Sequence, residues 1–450
     1  MDSGTDFPAR PLHRLKETPS ELFARVAHLP GAVFLDSALV GGDSVSVIGF
    51  APEAIVSGQT GGMDRIREWL LSRRQASGAG PLAGGAAIGM ISYEGRAEFG
   101  LYPALLVHHH ASGEWHDSGG LARLLPPRSE VIGLGQGKGL HEVAPVRVEA
   151  EMTREDYLRR VRRALDYIAA GDIYQVNLAQ RFSGKWPAGL SSYGLYLALR
   201  EVSPAPYAAF LKFGEREILS SSPEQFLKMS GRDVWTRPIK GTRPRFADPA
   251  RDARSAAELI SSDKENAELV MITDLERNDL GQVCEFGSVE VTELAGLECF
   301  QQVFHLVSTV RGRLRPEVDH IAALEACFPG GSITGAPKRR AMEIIAELEK
   351  GPRGPYTGAI GYFGVNGESQ FNIAIRTAVI SGARMEYQVG AGIVADSDPA
   401  AEYEETLHKG RGLRRALDEW QKRQDFFAIA GESNQVTVPH GIPAPFLRFP

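Results

Sequence analysis

Apolar positions along the chain follow two periods, and they are clearest after residue 150. Early on, Ala32-Val33-Phe34-Leu35 and Val45-Ser46-Val47-Ile48 read as strands, and residues 84–91 read as a buried strand with close backbone approaches. Residues 73–80 are polar and Gly-rich, which predicts a surface loop. Tyr157, Val161, Leu165 and Ile168 then recur at helical spacing, with Gly171 as the stop. Residues 176–182 follow as a strand. The pattern predicts further helices over 256–275, 337–350 and 398–422, with Thr334 as a candidate cap for the middle one and Gly351 as its stop. Residues 359–364, 371–380 and 387–394 read as successive strands. Strands come in runs, with helices between runs. That predicts an α+β fold with antiparallel sheets in place of a Rossmann alternation. No repeat of solenoid length is present. A Pro-, Gly- and Glu-bearing stretch over 126–150 marks a boundary, and 425–450 reads as a Pro-rich tail. The expected parts are 1–145, 146–424 and 425–450.

Composition narrows the class. The 450 residues are 43% hydrophobic and 24% charged, which excludes a disordered or fibrous chain. A net charge of -6 supplies no global basic field for nucleic acid. Three cysteines without a CxxC pair argue against a disulfide scaffold or zinc site, and the run His108-His109-His110 is a poor metal signature. No apolar run reaches membrane-span length, and Met1-Asp2-Ser3-Gly4 lacks a signal-peptide start. A cytoplasmic enzyme is expected, without nucleic acid or membrane as partner.

Several residues can carry chemistry. Glu265 and Glu268 are three apart on one predicted helix, and Glu402 and Glu405 on another. Residues at i and i+3 share a face. Two such faces turned together suit Mg²⁺, which prefers oxygen ligands; two solvated faces, with Glu405 bridging to Lys409, are the plainer reading. Lys240 lies between Pro238 and Pro244 in what reads as a tight loop, where an amine without its proton is a nucleophile. Glu224 follows Ser220-Ser221-Ser222-Pro223 and, if buried, can hold a proton as a general acid. Gly330 to Lys338 is a glycine-rich helix entry but no Walker A motif, since Ala336 follows Gly335. Its backbone N–H groups suit a carboxylate or phosphate. Gly390-Ala391-Gly392 offers a second close approach to backbone. Arg376 interrupts an apolar strand and needs an anion, from within the chain or from a ligand.

Six stretches carry a resemblance: Gly171 to Leu178, Ser221 to Glu224, Pro238 to Thr242, Asp274 to Gly281, Gly331 to Lys338, and Gly390 to Asp398 followed by Glu405-Thr406. In this order they resemble the chorismate-utilising enzymes over roughly residues 150–420. The resemblance implies two large antiparallel sheets packed face to face with helices outside. It also implies Mg²⁺ on Glu268 and Glu405, with Glu265 and Glu402 in support. Thr242, His305, Thr334, Tyr356, Arg376, Gly390, Gly392 and Lys409 match the pocket that holds chorismate. Leu35-Asp36-Ser37 resembles the start of the tryptophan-pocket motif, with Asp36 where glutamate is usual, and makes Ser37 a regulatory candidate.

Two positions bear on the reaction. Water-adding relatives carry lysine where this chain has Gln175, whose amide takes no proton near neutral pH. Anthranilate synthases usually have alanine at the position of Lys240, whereas lysine marks aminodeoxychorismate synthase large subunits. The resemblance therefore implies C4 amination of chorismate to 4-amino-4-deoxychorismate, for 4-aminobenzoate and folate. Cys284, Cys299 and Cys327 lack the flanking glycines of a nucleophile elbow, so a separate glutaminase subunit is implied as ammonia source. The alternatives are anthranilate synthase component I and a non-catalytic chorismate- or tryptophan-binding subunit.

Overall fold

The computed structural model describes residues 10–11, 15–39, 44–73, 82–128, 145–300 and 303–432. Among them the β-branched and aromatic runs pair into a 12-stranded and a 10-stranded sheet. The first runs from Leu106–His109 through Val45–Gly49, Val33–Asp36, Tyr207–Phe213, Arg216–Ser222, Thr377–Ser381 and Arg384–Ile393 to Gln175–Lys185, with Gly335–Ala336 at its edge. The second runs from Ile239–Pro244 at its edge through Val303–Arg313, Asp233–Arg237, Gln225–Ser230, Glu368–Ile373 and Ala359–Gly364 to Ala86–Ile91. Neighbouring strands are antiparallel, as expected from the strand runs. Strands from before residue 128 enter both sheets beside strands from after residue 175.

The sheets meet in an apolar layer. Val33, Val47, Leu211 and Ile218 of the first pack with Ile88, Met90 and Ile360 of the second. Outside the first sheet, Ser192–Val202 and Arg411–Glu432 bury Tyr196, Leu199 and Trp420 with Phe34 and Phe210. Outside the second, Asp263–Gly281 and His320–Cys327 bury Leu280 and Leu324 with Phe371. Arg154–Ala169 and Lys338–Leu348 close Tyr157, Val161 and Ile344 over Val176 and Leu178. Each such side chain contributes about 1.5–3 kcal/mol, so these layers outweigh any single surface ion pair. Among the described residues no helix is long and apolar enough to cross a membrane.

Several spans differ from the sequence pattern. The 256–275 helix is two helices, Pro249–Ile260 and Asp263–Gly281, parted where the Ser262 hydroxyl accepts from Glu265 N at 3.4 Å. The 371–380 strand is two strands in different sheets, parted at Arg376, whose φ of 51° is incompatible with a strand. The 398–422 helix divides at Gly410 into Pro399–Lys409 and Arg411–Glu432. Residues 425–432 of the predicted tail are therefore helical, since neither Pro nor Gly occurs between Gly412 and Gly431. Thr334 does not cap Lys338–Leu348; Pro337 holds that position and the Thr334 hydroxyl donates back to Gly330 O at 3.0 Å. Residues 74–80 of the predicted loop, 129–144 of the boundary and 433–450 of the tail lie outside the described residues.

One buried ion pair ties these layers together. Arg353 is 2% exposed. Its Nε and Nη2 donate to the two Glu349 carboxylate oxygens at 2.8 and 2.6 Å. Nη2 also reaches Asn177 O at 2.7 Å, and Nη1 reaches Ile333 O at 3.0 Å and Thr357 Oγ1 at 3.3 Å. Replacing it as Arg353→Met leaves Glu349 buried and uncompensated, which typically costs about 3–5 kcal/mol. Urea unfolding should show that loss, and a double variant with Glu349→Met should recover part of it.

A second buried charge sets a pH dependence. Glu276 is 5% exposed and accepts from the Thr236 hydroxyl at 2.5 Å. Burial above all pushes its carboxyl up to about 8. An unfolded glutamate ionises near ~4.3. Between the two values the folded chain holds the proton and the unfolded chain has lost it, so stability falls as pH rises and then levels above about 8. The total is on the order of a few kcal/mol. Glu276→Gln keeps an acceptor for Thr236 and cannot ionise. Its unfolding midpoint should exceed that of wild type at pH 8 but not at pH 4; a pH-independent difference would show that the folded carboxyl is already ionised.

Candidate active site

Two crossings between the sheets form the floor of the site. The chain leaves the first sheet after Arg216–Ser222 and enters the second at Gln225–Ser230, turning at Pro223-Glu224. It returns between Glu368–Ile373 and Thr377–Ser381, turning at Arg376. The crossings lie side by side: Ile373 N donates to Glu224 O at 3.0 Å and Ser221 N to Arg376 O at 3.1 Å. Burial pushes the Glu224 carboxyl up, against the pull of the Lys240 ammonium. Arg376 adopts a left-handed backbone, a strained state usually kept for function. Its guanidinium forms no ion pair among the described residues, and burial lowers its pKa with Glu224 as the opposing charge. Among the described residues the internal charge that acts on this arginine is Glu224, without a direct ion pair.

Lys240 projects from the edge strand Ile239–Pro244, and not from a free loop as its prolines and glycine suggested. The strand can pair with Val303–Arg313 because Gly241, at φ 68°, absorbs a bulge between Lys240 and Thr242. A side chain at Gly241 would meet Leu259 at 2.6 Å. Lys240 Nζ lies 3.8 Å from Glu268 Oε2 and 3.7 Å from where a Cβ on Gly392 would stand. Thr242 Oγ1 lies 2.9 Å from His305 Nδ1. Burial, aided by Arg376, lowers His305 to about 4, so its imidazole is neutral at physiological pH.

The opposite wall is the pairing of Gln175–Lys185 with Arg384–Ile393, which sets Asn177 across from Gly392 and Ala179 across from Gly390. A Cβ on Gly390 would come within 2.9 Å of the Tyr356 hydroxyl, and one on Gly392 within 2.9 Å of Gln175 Nε2. These glycines keep the wall open. Tyr356 is buried, and burial foremost pushes its phenol up to about 12. Lys409 donates to Gly390 O at 3.0 Å. The glycine loop is sewn to the same wall, with Asn177 N donating to Thr334 O at 2.8 Å and Tyr174 N to Ala336 O at 2.7 Å.

Gln175 Oε1 and Nε2, Glu224 Oε1, Ser332 Oγ and Glu402 Oε2 are buried without a hydrogen-bond partner. Buried polar atoms are nearly always bonded within a protein or by water. These five atoms offer hydrogen-bonding positions to a polar ligand.

The four carboxylates stand beside the Lys240 edge. Burial pushes Glu268 up against the pull of Lys240 and Lys264, and burial pushes Glu402 up against its bond from Ser397. Glu405 goes the other way: burial opposes ionisation, but Lys409, Lys264 and Lys240 together outweigh it. Glu265 pairs with Arg243 at 3.4 Å, and Glu405 with Lys409 at 2.7 Å, the i+4 bridge that the spacing suggested. The Lys264 ammonium lies 4.0 Å from both Glu268 and Glu402, so a positive charge already sits between the two helices. Among the described residues no three acidic or thiol or imidazole groups close into a metal-ligand cluster. The all-oxygen donor set and the unpartnered Glu402 Oε2 nevertheless suit a hard divalent cation.

Ser37 lies elsewhere. It lines a small cavity of about 50 Å³ with Tyr207 and Asn372, and its hydroxyl donates to Val45 O at 2.8 Å. Neighbouring Asp36 is taken up by Arg200 at 2.6 Å and by Tyr196 at 3.0 Å. Sequence reasoning missed Asn177, Lys264, Ser332 and Arg353. Asn177 and Ser332 lie inside motifs that were read for their neighbours. Nothing in the spacing marks Arg353 beyond its position between Pro352 and Gly354.

Comparison with known proteins identifies the family. A family model described as chorismate binding enzyme matches residues 43–415. Anthranilate synthase component 1 of Thermus thermophilus is 49% identical over 272 residues, 60% of this chain and 58% of its own length. Aminodeoxychorismate synthase component 1 of Bacillus subtilis is 46% identical over 269 residues, 60% and 57% of the two chains. The chain thus spans a little over half the length of these curated relatives. The crystal structure of anthranilate synthase component I from Streptococcus pneumoniae superposes with a TM-score of 0.71 at 29% identity, covering 83% of this chain and 92% of that one. With the paired antiparallel sheets and a family match across most of its length, the chain belongs to the chorismate binding enzymes.

Proposed function

We propose that this chain aminates chorismate at C4, as the large component of an aminodeoxychorismate synthase, supplying 4-amino-4-deoxychorismate for 4-aminobenzoate and folate. The observation that carries this reading is Lys240, whose amine faces the open Gly392 wall and the Glu268 carboxylate where anthranilate synthases usually carry alanine. A second reading rests on the relatives themselves, since proteins named anthranilate synthase component 1 reach 50% identity against 48% for one named aminodeoxychorismate synthase.

In the proposed reaction Arg376 and Lys409 bind carboxylates of chorismate, and Tyr356, Thr242 and neutral His305 supply uncharged polar contacts. Mg²⁺, held by Glu268 and Glu405 with Glu265 and Glu402 in support, would neutralise the ring carboxylate and draw charge from the ring. Once the Lys240 ammonium has given up a proton to solvent, its amine forms a C–N bond at C2, and it takes that proton back when it departs. The two ring double bonds each shift one position toward C4, and the C4 hydroxyl leaves as water with the proton of Glu224. Ammonia then bonds at C4, the double bonds shift back, and the Lys240 amine departs. The surplus proton of the attacking ammonia returns to Glu224. Gln175 has no basic form near neutral pH, which disfavours water as the nucleophile.

Ammonia would come from a separate glutaminase. Burial pushes the Cys284 thiol up to about 11 and Cys327 higher still, which makes both poor nucleophiles.

Purified chain, chorismate, Mg²⁺ and an ammonium salt, with product identified by mass, test the assignment. The expected product keeps the enolpyruvyl group; anthranilate with released pyruvate would move the chain to the second reading. Lys240→Ala should slow C4 amination at least a hundredfold. Without ammonia, the wild type should gain the mass of a chorismate-derived adduct on Lys240. Full activity in Lys240→Arg, with no adduct on wild type, would remove the covalent step.

Glu268→Gln and Glu405→Gln keep size but remove charge. Losing one charge-assisted contact costs about 1.5–3 kcal/mol, so ten- to hundredfold lower turnover and a raised Mg²⁺ requirement are expected, with folding retained. Unchanged rates at limiting Mg²⁺ in both variants would refute the ligand assignment.

A further inference from the structure

Arg154–Ala169 carries five arginines, Arg154, Arg159, Arg160, Arg162 and Arg163. Arg159 and Arg163 reach carboxylates one turn away, Asp156 and Asp166. Arg160 is different. It is 9% exposed, its Nη1 is buried without a hydrogen-bond partner, and it forms no ion pair among the described residues. A buried cation without a counter-charge is strongly unfavourable. The sequence offers the helix an exposed face for arginine, yet this one is turned inward.

It lines a partly open cavity of about 120 Å³, with Arg181, Lys350, Glu349 and Glu151. That is several times the room one water needs. Arg181 Nε is also buried without a partner, while its Nη2 donates to Pro352 O. Lys350 makes no ion pair among the described residues. The two carboxylates on the wall are already committed. Glu349 accepts from Arg353 at both oxygens and from Ala179 N at 2.8 Å. Glu151 accepts from Arg384. The cavity therefore presents Arg160 without a counter-charge, beside Arg181 and Lys350, which feel Glu151 and Asp156 only at a distance and pair directly with neither.

The geometry points to an anion site for a small oxyanion of the carboxylate or phosphate class, gripped by Arg160 and completed by Arg181 and Lys350. Guanidinium N–H groups match the paired oxygens of both kinds of ligand. The site is separate from the Lys240 site, and neither its argument nor its test depends on the reaction proposed above. It shares the Glu349 wall with Arg353, so an occupant would press on the ion pair that holds Ile333 and Asn177 in place.

Isothermal titration of the whole chain with inorganic phosphate, and separately with acetate, at an ionic strength fixed by chloride, tests this. Saturable binding of one of them is expected, and its identity separates a phosphate from a carboxylate ligand. Arg160→Met should weaken that binding at least tenfold and Lys350→Ala several-fold, while Arg376→Met should leave it unchanged. In chloride buffer without phosphate or carboxylate Arg160→Met should melt no lower than wild type, because it removes an uncompensated charge. Four outcomes overturn the site: no saturable binding of either anion, binding that survives in both Arg160→Met and Lys350→Ala, binding lost in Arg376→Met instead, or a much lower melting temperature for Arg160→Met in chloride buffer without phosphate or carboxylate, which would mean that Arg160 already has a partner within the chain.

Discussion

The Arg353 guanidinium is the constraint on which the walls of the site depend. Its five N–H directions are used on four separate stretches: Glu349 at the end of a helix, Ile333 in the glycine loop, Asn177 in the strand Gln175–Lys185 and Thr357 before a central strand. Apolar packing alone would hold these elements near one another without fixing their relative positions to a fraction of an ångström, because dispersion and burial are not directional. The fork of a buried guanidinium is directional. Net of desolvation such a pair stabilises little. Its contribution is register: it sets the backbone of Asn177 and Ile333 on either side of the space where Gln175 and Ser332 present unpartnered atoms.

The second determinant is topological. Two strands that belong to different sheets cannot be continuous, so the chain must turn between them. Both turns fall together, at Glu224 and Arg376. At such crossings side chains escape the strict alternation of a strand, and an acid and a guanidinium can be buried close together without a direct ion pair. The strained φ at Arg376 is tolerable because Ser221 N binds its carbonyl and strands of both sheets clamp its flanks. Glu224 gains its proton affinity from the same enclosure.

Much of this was legible locally and little of it globally. Strand runs gave the antiparallel class, and the i, i+3 glutamate pairs were correctly seen to share faces. The break at Ser261-Ser262 was missed because both sides of it keep a helical period, and only the capping bond from Glu265 N to Ser262 marks the new start. The 371–380 stretch reads as one apolar strand because its two halves are equally apolar; which sheet each half joins is decided by partners over a hundred residues away. Lys240 looked like a loop residue because proline and glycine usually interrupt strands. At a sheet edge, with a bulge at Gly241, they do not. Arg353 left no periodic trace at all, since a hub of long-range bonds needs one residue and no pattern.

The carboxylate group shows how four acidic side chains stay close without repelling their helices apart. Glu265, Glu268, Glu402 and Glu405 would push their helices apart if left bare. Lys240, Lys264, Lys409 and Arg243 compensate them, but not equivalently. The side chain of Lys240 is 16% exposed, and it is aimed along a strand edge at Glu268. That of Lys264 is 54% exposed and stands 4.0 Å from each of two carboxylates, too far for a good hydrogen bond to either. A long exposed lysine can swing into water at little cost. Under the proposed function Lys264 is then the placeholder whose position a divalent cation would take, while Lys240, fixed by its strand, stays facing the substrate. The two lysines share one carboxylate, yet only the exposed one is free to leave it.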